Sequence, residues 1–345
     1  MRAVTIHGPK DIRVEHVPDA AIREPGDVVV RVTHACICGS DLWAYRGVVE
    51  RQPGQRIGHE FLGVVEEVGA EVSRLRRGDR VVAPFVWSDG TCERCAAGLH
   101  TSCRQVGSWG QPGADGGQGE AVRVPFAEAT LVRLPADVDE AQLPALLTLS
   151  DVLCTGHHGA LAAGVAPGGS VAVVGDGAVG LCAVMAAARL GAERIVLLGH
   201  HRDRTRLAER FGATEVRLGP GAEVVAELRE LTRGEGFHSV VEAVGTVESM
   251  RTAIGVTADG GTVGFVGVPH GGEQALDIRQ MFYRNVAVRG GIAPARAYIP
   301  ELLPDVLSGA LDPAPIFDAT IGLDEAADGY ADMDARRTLK AMIRL

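Results

Sequence analysis

Three glycines limit what this chain can fold into more than any other segment. Gly175, Gly177 and Gly180 stand in Gly175-Asp-Gly177-Ala-Val-Gly180, directly after the apolar run Ser170-Val-Ala-Val-Val174 and before the small, apolar stretch that runs to Leu190. The run is strand-like and the stretch helix-like. A Gly-x-Gly-x-x-Gly turn in that context is the fingerprint of a dinucleotide-binding βαβ unit. The first glycine permits the tight turn, the second lets backbone approach a pyrophosphate, and the third lets helix and strand pack closely. Amides at the helix start, including those of Ala178 and Val179, then face the phosphate charge.

The chain around this unit divides by texture. With 345 residues and 46% hydrophobic content, it is long enough for two domains with sizeable cores. Up to about Pro144, short β-like runs (Asp27–Val32, Gly63–Val68, Arg80–Ala83, Glu120–Val124) alternate with Gly, Pro and Asp turns, which predicts a mostly β, barrel-like first domain. After about Leu146, apolar runs alternate with helical segments: Val171–Val174, a helix from Ala178 to Leu190, Ile195–Leu198, a helix from Arg204 to Phe211, then Val240–Ala243, Thr262–Val266 and Val286–Val288. That order predicts a doubly wound parallel sheet, hence an α/β class. The last segment, Tyr298 to Leu345, reads as helical and then as a short strand near Ala341–Leu345 whose partner the sequence does not identify.

The second strand of the βαβ unit ends about twenty residues past the glycines, where an NAD site places Asp or Glu on the ribose 2′-hydroxyl. Here the residue is Gly199, followed by His200, His201 and Arg202. No carboxylate repels a 2′-phosphate, and a guanidinium and two imidazoles stand ready to meet one. The segment therefore points to NADP(H). Solvated residues at a helix start are the plainer reading of either histidine.

Seven cysteines in a chain whose first residues form no signal-like apolar run favour metal ligation over disulfides. Cys92, Cys95 and Cys103 share one Gly-bearing loop with Asp89 and His100, either of which could complete a closed structural zinc site. Cys38, in Cys38-Gly-Ser-Asp41, and His59, in Gly58-His-Glu60, lie in loop-like contexts beside strands. Alone they could be a buried thiol and a core histidine; together they have the ligand chemistry of a catalytic zinc with an open position.

Net charge is −10, with basic residues scattered among acidic ones, so the positive stripe that nucleic acid requires is missing. The most apolar stretch is broken by glycines and Asp176, which argues against a membrane span. The expectation is a cytoplasmic protein acting on a small molecule.

The landmarks Cys38-Gly-Ser-Asp41, Gly58-His-Glu60, Gly78-Asp-Arg-Val81, the cysteine loop, the glycine fingerprint and Gly290-Gly291 together resemble the zinc-containing medium-chain alcohol dehydrogenase family over essentially the whole chain. That resemblance implies a GroES-like β-barrel catalytic domain from 1–147, completed by 286–345, a Rossmann domain over 148–285, and a catalytic zinc in the cleft between them. It implies Cys38, His59 and Asp151 as zinc ligands, with Cys154 as rival to Asp151. It also implies Glu60 as an exchangeable carboxylate, and Ser40 as the hydroxyl that takes the substrate proton; a helix-capping serine is the alternative. Val244, Val266, Gly290, Gly291 and Ile292 fall at the nicotinamide end, and Lys340 is counted with the cofactor-binding residues. Phe85, Trp43 and Trp109 are candidates for the substrate pocket or for core.

Two departures from the family pattern stand out. Asp89 replaces the first of the usual four lobe cysteines, and Trp43 stands where some members carry a proton-relay histidine, leaving water or His34 to continue the relay. The expected activity is hydride transfer between NADP(H) and an alcohol or carbonyl compound. A zinc-free quinone or enone reductase, or a non-enzymatic NADP(H)-binding protein, are the alternatives. A homodimer or homotetramer is expected through cofactor-domain edges near Gly264–Pro269 and Gln274–Ile278.

Overall fold

The computed structural model describes residues 1–219, 221–270 and 276–345, so Gln274, part of the expected oligomer edge, lies outside the described residues. The chain forms two compact units, Met1–Asp151 with Pro294–Leu345, and Val152–Ala293. The joins fall after Asp151 and Ala293, not after 147 and 285. The cause is local: Ser150 Oγ donates to the Phe61 carbonyl at 3.2 Å and its own carbonyl accepts from Phe85 N at 3.0 Å, which ties 148–151 to the first unit. Ala287–Gly290 pairs in parallel with Thr257–Phe265 and so stays with the second.

The first unit is built on a seven-stranded sheet in which the long strand Val28–Cys36 is central. It pairs antiparallel with Glu60–Val68, with Ala121–Val124 and with the C-terminal strand Ala341–Arg344. The strand foreseen near the C-terminus thus finds its partner: Met342 faces Cys36 and Arg344 faces His34. Alternate residues of these strands, Val28, Val30, Val32, Phe61, Val65, Val122, Val124, Ala341 and Ile343, enter one buried cluster, as the period-2 geometry of a half-buried strand requires. This is the GroES-like barrel.

The second unit is a six-stranded parallel sheet of Ser170–Val174, Arg194–Gly199, Glu215–Leu218, Phe237–Glu242, Thr257–Phe265 and Ala287–Gly290; numbered in chain order, it runs 3-2-1-4-5-6. That is the doubly wound order whose ligand crevice lies beyond the carboxyl ends of the first and fourth strands. The helix Ala178–Arg189 buries Leu181, Cys182, Val184, Ala183, Ala186 and Ala187, and the near-continuous apolar run Val171–Val174 is what a strand covered on both faces needs. Among the described residues no helix is long and apolar enough to cross a membrane.

Candidate active site

Cys38 closes the loop that leaves the central strand. Its amide donates to Asp41 Oδ2 at 3.0 Å, so the carboxylate three residues on fixes the turn. His59 immediately precedes the strand Glu60–Val68, and Asp151 ends the short turn Thr148–Ser150. The sheet brings these three segments together. Asp151 Oδ2 lies 3.8 Å from Cys38 Sγ and 3.4 Å from His59 Nε2. Donor atoms of Cys38, His59, Glu60 and Asp151 all lie within 4.8 Å of one another. A tetrahedral zinc with bonds of about 2.3 Å to sulfur and about 2.0 Å to nitrogen or oxygen spaces its donors roughly 3.3–3.8 Å apart, so the residues fit that ion. Asp151, not Cys154, belongs to this group.

The surroundings favour a cation. Burial would lower the His59 pKa, yet Asp41, Cys38 and Asp151 raise it well above the ordinary imidazole value. Burial pushes the Cys38 thiol up, and Glu60 pushes it further. Glu60 is fully buried; Oε1 takes a 2.6 Å bond from Lys340 Nζ, while Oε2 is buried with no hydrogen-bond partner among the described residues. An orphaned buried carboxylate oxygen costs on the order of 1–3 kcal/mol or more and is the natural donor to a metal beside it.

Lys340, which the sequence counts with the cofactor-binding residues, directly precedes the C-terminal strand, and pairing of that strand carries its ammonium inside the first unit. There it is 1% exposed and bonded to Glu60 and, at 3.3 Å, to the Ile37 carbonyl. A buried carboxylate of this kind requires a partner charge, and Lys340 supplies it.

Sequence reasoning also missed Asp41, whose Oδ1 lies 3.2 Å from His59 Nδ1. A carboxylate on the far nitrogen fixes the tautomer that leaves Nε2 free for a metal. The signal was present in Cys38-Gly-Ser-Asp41, where an acid follows the thiol by three residues. Gln118 extends the chain of contacts, donating to the Cys36 carbonyl at 3.0 Å and accepting from Tyr330 Oη at 2.9 Å. Ser40 precedes the helix Asp41–Tyr45 but makes no side-chain capping bond, so the alternative reading as a cap does not hold. Trp109 is core: it is 4% exposed, donates to the Pro84 carbonyl and packs edge-on to Phe61 and at a tilt against Trp87. His34 is buried in the sheet and bonded to Thr33, while Trp43 and Phe85 are half-buried.

The cysteine lobe forms a second group, Asp89, Cys92, Cys95 and Cys103, again with donors within 4.8 Å. Cys92 Sγ is 3.6 Å from Cys95 Sγ and 3.9 Å from Cys103 Sγ, and Asp89 Oδ1 is 3.5 Å from Cys95 Sγ, again the edges of a zinc tetrahedron. Asp89 also accepts from the amides of Thr91 and Cys92, which hold its carboxyl well below the usual range. His100 is outside this group; its Nδ1 sits 3.3 Å from the Gly98 carbonyl.

In the second unit the glycines do what their spacing requires. Gly175 has φ +116°, and a Cβ on Gly180 would lie 1.8 Å from the Gly175 carbonyl oxygen. A Cβ on Gly177, at the N-cap of the Ala178–Arg189 helix, would meet nothing within 4 Å; that open cradle at a helix N-terminus, beside the Ala178, Val179 and Gly180 amides, suits a pyrophosphate. Beyond Gly199, a pocket is lined by His200, Arg202, Leu218, Gly219 and Glu248. The His201 ring instead turns onto Asp176, 2.9 Å from Oδ2. Val266 is buried, whereas Val244 and Ile292 are exposed. Gly290 and Gly291 have φ of +131° and +117°, a backbone only glycine adopts without strain.

The family follows from these features together. Residues 24–136 match the model of the alcohol dehydrogenase GroES-like domain, and residues 178–308 that of the zinc-binding dehydrogenase. A probable zinc-binding alcohol dehydrogenase of Mycobacterium tuberculosis is 37% identical over 97% of this chain and 86% of its own length. The zinc-type alcohol dehydrogenase-like protein AdhB of Bacillus subtilis is 33% identical over 97% of each chain. The solved alcohol dehydrogenase TADH of Thermus sp. ATN1 superposes with a TM-score of 0.91 at 34% identity, covering 100% of this chain and 99% of that one. The chain belongs to the zinc-dependent medium-chain alcohol dehydrogenase family.

Proposed function

We propose that the protein is an NADP(H)-dependent alcohol dehydrogenase or carbonyl reductase, with a catalytic zinc held by Cys38, His59 and Asp151. The observation that carries this reading is the convergence of Asp151 Oδ2 on Cys38 Sγ and His59 Nε2. Zinc bound there supplies Lewis acidity toward a substrate oxygen, and the nicotinamide supplies or receives the hydride. Asp41 orients His59. Lys340 holds one oxygen of Glu60, and the other, buried without a hydrogen-bond partner among the described residues, would be a further donor to the metal. Ser40, its hydroxyl uncommitted to a helix cap, takes the alcohol proton, and water carries it onward. The Asp89, Cys92, Cys95 and Cys103 lobe holds a second, structural zinc.

The Gly177 cradle, with Gly175, Ala178, Val179 and Gly180, binds the pyrophosphate. Gly199 leaves room at the adenosine ribose, and His200 and Arg202 meet the 2′-phosphate, with His201 acting from behind. Val244, Val266, Gly290, Gly291 and Ile292 flank the nicotinamide. Glu248 favours a second reading: it is a carboxylate in the same pocket, and if it accepted from the ribose hydroxyls the preference would turn to NAD(H). Fluorescence titration with NADPH and NADH decides between them. Tighter NADPH binding that Arg202→Ala abolishes upholds the first reading, and tighter NADH binding that Glu248→Gln abolishes upholds the second.

The expected location is cytoplasmic and the expected state a homodimer or homotetramer. Supporting the latter, Ile278, Phe282, Tyr283 and Ile292 are 65–75% exposed around the edge strand Ala287–Gly290, more apolar surface than an isolated edge tolerates. Light scattering that gives a single-chain mass overturns it.

A further inference from the structure

The x residue of the glycine turn, Asp176, occupies the space in which the missing ribose-binding acid would stand. A Cβ built on Gly199 would lie 2.5 Å from Asp176 Oδ2 and 2.7 Å from its Cβ and Cγ. No positive φ asks for glycine at this position; the requirement is steric, and the three atoms nearest the added Cβ all belong to Asp176. The carboxylate is 8% exposed and heavily engaged. Oδ2 accepts from the His200 amide at 2.8 Å and the His201 amide at 2.7 Å, the His201 ring lies 2.9 Å away, and Arg204 lies 3.4 Å from Oδ1. Burial would raise its pKa, but these amides, the ring and Arg204 together hold it below the ordinary carboxylate value.

We infer that Asp176 is a specificity-determining positioning residue: it excludes any side chain at 199 and anchors the 200–202 segment so that His200 and Arg202 face the adenosine pocket. This rests on the NADP(H) reading above. Oδ2 of Asp176 is filled by two amides and the His201 ring, and Oδ1 faces the same ring and Arg204, which leaves the carboxylate little acceptor capacity for a ribose hydroxyl. Its charge is balanced locally by Arg204, so its repulsion of a nearby phosphate is blunted. The two positions are therefore coupled. An acid at 199, the ordinary NAD-type arrangement, is incompatible with this turn unless Asp176 is removed with it.

The test is a double-mutant cycle on the full chain. Wild type, Gly199→Asp, Asp176→Gly and the double variant are each titrated with NADPH and NADH by fluorescence and melted without cofactor. Gly199→Asp alone is expected to melt lower than wild type and to bind both cofactors more weakly. Asp176→Gly is expected to lose about tenfold in NADPH affinity, the scale of one charge-assisted contact. The double variant should recover much of the melting temperature lost by Gly199→Asp and bind NADH at least about tenfold more tightly than Gly199→Asp does. If Gly199→Asp does not fold, Gly199→Ala with and without Asp176→Gly gives the same cycle with a single methyl group. Additive losses in the cycle, or a Gly199→Asp variant of wild-type stability that turns to NADH unaided, overturn the coupling. A wild type that binds NADH more tightly than NADPH overturns the cofactor reading instead, and the melting-temperature cycle judges the coupling independently of it.

Discussion

The first unit holds two groups of metal-competent side chains, and they are built differently. Asp89, Cys92, Cys95 and Cys103 come from one loop of consecutive turns, so local backbone geometry almost suffices to assemble them. Cys38, His59 and Asp151 come from three segments, and Glu60 is paired with a lysine 280 positions away. The lobe has three thiols and a carboxylate at zinc-edge spacing and no further group to add, as in a closed structural site. The other group has a carboxylate with one oxygen bonded to Lys340 and the other without a hydrogen-bond partner among the described residues. A site made by sequence neighbours stabilises its own loop; a site made by a whole sheet can do chemistry only when that sheet is intact.

Ligand substitutions should separate the two groups most sharply. Cys38→Ala or His59→Ala is expected to reduce alcohol oxidation by more than about 100-fold, beyond the 10–100-fold cost of removing an outer partner, while NADPH still binds by fluorescence. Turnover near wild type in either variant breaks the distinction. Cys103→Ala should do the reverse, removing one zinc by elemental analysis and lowering the melting temperature by roughly 5 °C or more, with most turnover per remaining zinc retained.

Asp41→Asn comes next, since it loosens the His59 ring without removing a ligand: zinc affinity at the catalytic site falls about 10–100-fold by competition with a chelator, and the lobe's affinity is untouched. Equal loss at both sites would mean that Asp41 acts on stability alone. A smaller effect is expected of Glu128, beside the lobe, whose carboxylate accepts the amides of Ser73 and Arg74. Those bonds, the Arg74 amide foremost, lower its pKa to about 2. The folded value lies below the unfolded one, so this stabilisation is fully present above about pH 4.5 and disappears as the pH falls toward 2. It is partly screened by solvent and worth less than about 1 kcal/mol. Glu128→Gln should flatten the acid limb of the melting curve by that amount, and an unchanged limb removes Glu128 from the account.

Much of this was legible in the sequence wherever a local rule sufficed. The glycine turn, the helix from Ala178, the strands around it and the cysteine loop all depend on neighbours within a few residues, and each lies close to where its pattern placed it. The illegible parts are long-range. Nothing near Ala341 announces that its strand pairs with Val28–Cys36, so the burial of Lys340 against Glu60 could not be read. Nothing local in the glycine turn sets Asp176 apart. Its close approach to Gly199 appears only once the second strand brings Gly199 over it. Trp109 had no pattern separating core from pocket, and packing against Phe61 and Trp87 settled it.

The central claim, that Asp151 completes a catalytic zinc site distinct from the lobe, is tested most directly by zinc content and alcohol-dependent NADPH formation in wild type, Asp151→Ala and Cys154→Ala. The account predicts about two zinc ions per chain in wild type and in Cys154→Ala, and about one, with turnover lost, in Asp151→Ala. Two zinc ions and normal turnover in Asp151→Ala, with loss of both in Cys154→Ala, would contradict it.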